Sequence, residues 1–155
     1  MNPSMKSRAM DGASKNKVYI SRTFQHPVEK VFEAFINPEW IRNWWGPVNV
    51  LTLNVDVNLK VGGKYKFEMQ KRNGELFQIT GEYKDIVPNQ LLVFSSAYQN
   101  LSSPPPESTV IIKFKTVDRG TEVSLVQEFE VAPPDFKSRT KSWELMLGRI
   151  DDLLA

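Results

Sequence analysis

Residues 37–47 read NPEWIRNWWGP, and at this stretch the periodicity of the chain changes. It holds three of the four tryptophans, between an Asn-Pro and a Gly-Pro. Asn37 can cap a helix, Pro38 suits its first position, and Glu39 complements the positive end of its dipole. Gly46-Pro47 stops it. The stretch reads as a short helix. Trp40 and Trp44, four apart, share one side of it, and Trp45 turns about 100° away. An enclosed indole needs a partner for its N–H. Two roles stay open: a plug at the end of the core, or, for Trp44 or Trp45, the rim of a cavity.

Upstream, Val28, Val31, Phe32 and Phe35 form a helical stripe that Pro27 can open. Before it, VYISRTF (Val18 to Phe24) sets Val18, Ile20 and Phe24 against Tyr19, Ser21 and Thr23, the pattern of a half-buried strand. Downstream the period becomes two. It predicts strands over Val48–Val55, Lys64–Lys71, Leu76–Val87, Leu91–Tyr98, Thr109–Val117 and Thr121–Val131. Gly62-Gly63, Asn73-Gly74, Pro88-Asn89 and Asp118-Arg119-Gly120 supply the turns. SSPPPE (Ser102 to Glu107) cannot join a ladder and reads as an exposed loop of polyproline character. Helical spacing returns at Pro134. Phe136, Thr140, Trp143, Leu147, Ile150 and Leu154 mark one face of a helix of about 20 residues, roughly 30 Å long. The order predicts an α+β domain with the long helix across one face of the sheet.

A chain of 155 residues fits one domain, expected over 17–155 behind a polar, flexible tail over 1–16. That start has no apolar stretch of the kind a signal peptide carries. The net charge of +2 argues against nucleic acid as a partner. Lys137, Arg139 and Lys141 read as the solvated side of the last helix. No apolar run is long enough to span a bilayer. There is no cysteine, which excludes disulfides and thiolate chemistry and fits the cytoplasm.

No catalytic constellation is visible. His26 is the only histidine and stands before Pro27, where it reads as part of a helix-entry turn. It has no second histidine for a metal site and no triad to join, and the carboxylates lack EF-hand spacing. Glu68, Glu82 and Glu128 alternate with apolar neighbours and read as solvent-facing. No metal or other cofactor is expected.

RTFQHPVEKVFEAFINPEWIRNWWGP, VNLKVGGKYKFEMQKRNGE, GEYKDIVPNQLLVFSS, GTEVSLVQEF and KSWELMLGRIDDLL together resemble, in order, the activator of heat-shock-protein-ninety ATPase homologue family of the START-like (SRPBCC) superfamily. The resemblance runs from about Val18 to the end. Two positions depart from it: Ser142 stands where members often carry glycine, and Gln127 where they often carry histidine. It implies the helix-grip fold, with two short helices after strand 1 and a curved antiparallel sheet of about six to seven strands wrapped on the C-terminal helix. A cavity between the two is implied as well. Relatives bind apolar molecules, assist a chaperone or catalyse reactions without cofactors.

The inward strand faces carry Tyr65, Phe67 and Met69; Leu92, Phe94, Ser96 and Tyr98; Val110, Ile112 and Phe114; and Val123, Leu125, Gln127 and Phe129. The expected ligand cavity takes in Trp44, Phe67, Phe94, Tyr98, Gln127, Trp143 and Leu147. Gln127 is either a satisfied core amide or a polar anchor, because a buried amide left alone costs about 1–3 kcal/mol. Arg22 is either a strand-end charge paired with Asp or Glu, or a cavity cation for an acidic ligand. Three functions follow: binding of an apolar small molecule, a chaperone-ATPase activator domain, or a cofactor-free cyclase or hydrolase. A monomer and a homodimer are both compatible with the sequence.

Overall fold

A computed structural model describes residues 16–47, 49–134 and 136–155, with the Phe136 side chain left out. The predicted tail up to residue 15, the Val48 start of the second strand and the Phe136 side chain lie outside the described residues. The elements follow the predicted order: β1 (Lys17–Phe24), α1 (Val28–Ile36), α2 (Pro38–Trp44), β2 (Val50–Val57), β3 (Lys64–Lys71), β4 (Leu76–Val87), β5 (Leu91–Gln99), β6 (Ser108–Val117), β7 (Gly120–Phe129) and α3 (Phe136–Leu154). The predicted strand ends lie within two residues of the observed ones. The fold is α+β of the helix-grip type.

The seven strands form one antiparallel sheet in the order β1-β7-β6-β5-β4-β3-β2, curled into a half-barrel. Consecutive strands from β2 to β7 are neighbours, as short hairpins require. Gly62 and Gly74 take left-handed φ of 86° and 92° in two of these turns. The chain closes the sheet by laying β1 beside β7, with Val18 opposite Gln127 and Ile20 opposite Leu125. Asn16 holds this edge: its carbonyl accepts from the Phe129 N–H at 2.9 Å and its amide donates to the Phe129 carbonyl at 2.6 Å.

The concave face is buried under the helices. Phe24, Phe67, Met69, Ile79, Leu92, Ile112 and Leu125 meet Val31, Phe35, Trp143, Leu147, Ile150 and Leu154 in one cluster. The stripe expected on α3 is therefore inward at Trp143, Leu147, Ile150 and Leu154, and Thr140 is half-buried. The convex face is mostly polar, with Leu51 and Leu76 exposed on it. Glu128 pairs there with Lys17 at 3.2 Å, and Glu82 with Lys84 at 3.9 Å and Lys64 at 4.0 Å. α1 and α2 fill the open end of the half-barrel, with Phe32 and Phe35 edge-on to Phe114 at 5.0 and 5.3 Å.

Candidate ligand funnel between the sheet and the terminal helix

The tryptophans close the inner end. Asn37 caps α2 by accepting from the Glu39 N–H at 3.0 Å, so the helix starts where the sequence says. Trp44 ends it, 2% exposed, with its indole N–H donating to the Ala34 carbonyl at 2.8 Å. It is a core plug. Trp45 stands beyond the helix end in an extended conformation, φ −73° and ψ 141°. That turn of the backbone aims its indole inward, edge-on to Phe67 at 5.1 Å and to Trp143 at 5.6 Å. α3 secures the junction from outside. The Arg149 guanidinium donates to the carbonyls of Trp44, at 3.1 Å, and Gly46.

Gln127 and Trp143 join sheet and helix. The Trp143 indole N–H donates to Gln127 Oε1 at 2.8 Å, and Gln127 Nε2 donates to Ser108 Oγ at 2.9 Å. The amide is satisfied within the protein, the first of its two expected roles. It also lines a void, which keeps the second in play.

Three hollows run from the surface into the core. The outermost, about 310 Å³, lies between the first turns of α3, the β5–β6 loop and the ends of β2 to β5. Its walls include Pro47, Phe77, Tyr98, Pro105, Arg139 and Ser142. Phe77 and Tyr98 stack at 6.0 Å and 20°, a flat aromatic side to this mouth. The next hollow shares Pro47, Tyr98, Arg139 and Ser142 with the mouth but has only about 50 Å³, between Trp45, Ile79, Gln127, Trp143 and Met146. The innermost, about 20 Å³, is lined by aromatic and aliphatic residues including Trp44, Trp45, Tyr65, Phe67, Phe94 and Trp143. A water needs about 10–15 Å³ and several polar partners, so this last space holds no guest.

The expected cavity residues are thus divided. Tyr98, Gln127 and Trp143 line the throat, Trp44, Phe67, Phe94 and Trp143 surround the small inner void, and Leu147 is fully buried beside neither. Arg22 is not brought to the funnel. It is exposed on the edge strand β1, on the same face as Ile20 and Phe24, and pairs with Asp151 of α3 at 2.9 Å, in keeping with the ion-paired strand-end reading. Trp45, one of the two tryptophans offered for a cavity rim, lines the throat, and Arg139 and Ser142 line the funnel without having been expected there. Arg139 is half-buried at the mouth, whereas Lys137 and Lys141 are exposed as expected. One signal for Arg139 was present in the sequence: the first six residues of α3, FKSRTK, carry three cations and no acid, where a helix dipole favours negative charge.

Deeper in, Tyr65 lies across the sheet and donates to the Ser95 carbonyl at 2.7 Å. Its path runs over Gly81. A Cβ there would meet the Ser95 carbonyl oxygen at 1.9 Å and the Tyr65 ring at 2.5 Å, so only glycine fits. Burial pushes the Tyr65 phenol far above the ordinary phenol range, and that of Tyr83 likewise. Both are held neutral and packed in the core. His26 lines none of the three hollows, and its carbonyl accepts from Thr121 Oγ1 at 2.9 Å. No group of three or more potential metal-ligating side chains occurs among the described residues.

The family model for Activator of Hsp90 ATPase homolog 1-like protein matches residues 25–155. The chain belongs to that family, within the helix-grip class that its sheet and terminal helix define. No curated protein matches the sequence. Among solved structures, a protein from Chromobacterium violaceum superposes with a TM-score of 0.80 at 23% identity, covering 89% of this chain and 96% of its own. A protein from Arthrobacter aurescens gives a TM-score of 0.78 at 17% identity, covering 90% and 86%. An AHSA1-like protein from Aeromonas hydrophila gives 0.73 at 21% identity, covering 89% and 91%. At these identities the likeness establishes the fold. No described helix is long and apolar enough to cross a membrane.

Proposed function

We propose that the protein binds a small apolar molecule in the funnel between the sheet and α3. The observation that carries this reading is the continuity of a mouth of about 310 Å³ with a narrower throat, through four shared lining residues. The mouth alone is at the small end of known ligand sites, about 300–1,000 Å³. The guest therefore lies mainly in the mouth, against Phe77 and Tyr98, and inserts a short group toward Trp45 and Trp143. Met146 in the throat wall is adaptable enough to let that group go further. Gln127 supports the same reading as a polar amide among the aromatic and aliphatic walls of the constriction, beside Ser96 and Ser142. The cysteine-free sequence fits work in the cytoplasm.

Native mass spectrometry of the protein purified from its own host tests this. A co-purifying molecule is expected, and Ser142→Phe, which fills the mouth, is expected to lose it while the unfolding temperature holds. A native protein that carries nothing, and that does not bind neutral N-phenylnaphthylamine either, sinks the proposal.

One observation favours a second reading, the partner-binding role in the family's name. Leu51 and Leu76 are 60% and 59% exposed and flank Gln70 across three adjacent strands on the outer face of the sheet. Leu53 adds to them on β2, an edge strand. A purified chaperone ATPase of the heat-shock-protein-ninety class, unchanged in rate when this protein is added, would remove that reading.

A further inference from the structure

Resting on the funnel reading, the geometry points to a neutral carbonyl compound as the guest: a flat apolar body with a ketone, ester or amide oxygen at the end that enters the throat, where Gln127 donates to it. The orientation of the Gln127 amide is fixed by its partners. An indole N–H can only donate, so the atom that meets Trp143 at 2.8 Å is the oxygen, and the nitrogen lies against Ser108. That nitrogen carries two hydrogens. The Ser108 hydroxyl oxygen takes one, at 2.9 Å, and the other has no partner among the described residues.

Solvent reaches Gln127 on the throat side. Leu125 and Phe129, its neighbours on the same inward face, are 0% and 3% exposed, whereas Gln127 is only half-buried. The hollow it lines is the throat. A purely apolar guest that filled this space would seal the spare N–H from water with nothing to accept it, the costly case for a buried polar group. A carbonyl oxygen accepts it and brings no hydrogen of its own to be placed. Its second lone pair can accept from the hydroxyl of Ser96 or Ser142, which line the same hollow from β5 and α3. About 50 Å³ admits a group of this size and little more. The body of the guest then rests in the mouth on the stacked rings of Phe77 and Tyr98. Arg139 lines the throat as well, but it is already engaged within the protein.

2-Acetylnaphthalene and 2-isopropenylnaphthalene test this, since they share a flat shape and differ only in C=O against C=CH2. Each is titrated against N-phenylnaphthylamine bound to the full-length protein. A throat without a donor favours the alkene, because the ketone gives up its hydration on entry. Here the ketone is expected to displace the probe at a concentration at least about threefold lower. In Gln127→Glu at about pH 8, above the carboxyl range, one carboxylate oxygen still accepts from Trp143 and the Ser108 hydroxyl can turn to donate to the other, but the spare N–H is gone. The order should reverse there, with the alkene within about twofold of its affinity for the native protein. Where that variant fails to fold, the bound ketone reports directly: its infrared carbonyl stretch, labelled with heavy carbon, should lie below its value in hexane. Equal or tighter binding of the alkene by the native protein, a ketone preference that survives Gln127→Glu, an unshifted carbonyl stretch, or a bound probe that neither compound displaces overturns the carbonyl inference and leaves the funnel reading standing. A protein that carries nothing from its host and does not bind N-phenylnaphthylamine overturns both together.

Discussion

The Gln127 amide is held on both sides, by Trp143 through Oε1 and by Ser108 through Nε2. Trp143→Phe keeps a ring in place but leaves that oxygen without its donor, at a cost of about 1–3 kcal/mol. Gln127→Leu leaves the Trp143 N–H stranded at a similar cost. The double variant removes both ends, and its cost should fall short of the sum by about 1 kcal/mol, measured by chemical denaturation. Strict additivity would mean that packing alone holds this contact. The sequence placed Gln127 on an inward face through its neighbours Leu125 and Phe129, but it could not name the partners. Those depend on the rotation of α3 over the sheet, which no local pattern encodes. The tryptophans show the same limit. Their spacing gave Trp44 and Trp45 different directions, yet Trp45 left the helical wheel because α2 ends before it, and a residue past a helix end follows the backbone.

Elements were the most legible level. The strands run eight to twelve residues each with turn chemistry between them. Burial follows the period of two in β3, β5, β6 and β7, while register shifts between Thr52 and Asn54 and between Tyr83 and Asp85 break it in β2 and β4. α3 was legible as an amphipathic stripe. Its end-to-end charge was readable as well, but the groups that answer it at the C-terminal end, Lys30 and Arg22, are brought there only by the tertiary structure. Lys30→Met should destabilise the protein by about 0.5–1 kcal/mol, since it removes the charge that faces the last turn. Denaturation in low and high salt checks this: the deficit should shrink as salt rises. A deficit that ignores salt would point to lost packing of the Lys30 stem instead.

Across the described residues the sheet, the helices and the indoles leave little empty space, about 50 and 20 Å³ between sheet and helix, with the larger hollow of about 310 Å³ at one end. The inner floor rests on neutral phenols. Tyr65 and Tyr83 hold their protons more tightly when folded than when unfolded, so stability is complete below the ordinary phenol value of about 10 and falls as pH rises past it. Tyrosine absorbance during an alkaline titration should show two phenols ionising only together with unfolding, and Tyr65→Phe should remove one of them. Early, reversible ionisation of all four tyrosines in the folded protein would contradict the packing of this floor.

The β5–β6 loop at the mouth is fastened at both ends, with Leu101 packed against the core and the Glu107 carbonyl accepting from the Glu130 N–H at 3.0 Å. Between them, Pro104, Pro105 and Pro106 have few torsions left to lose. Such an arch behaves as a doorframe and not as a door. On the proposed funnel reading, entry waits on diffusion alone, the ordering entropy of a closing lid is never incurred, and how long a guest stays is decided by its fit to the frame.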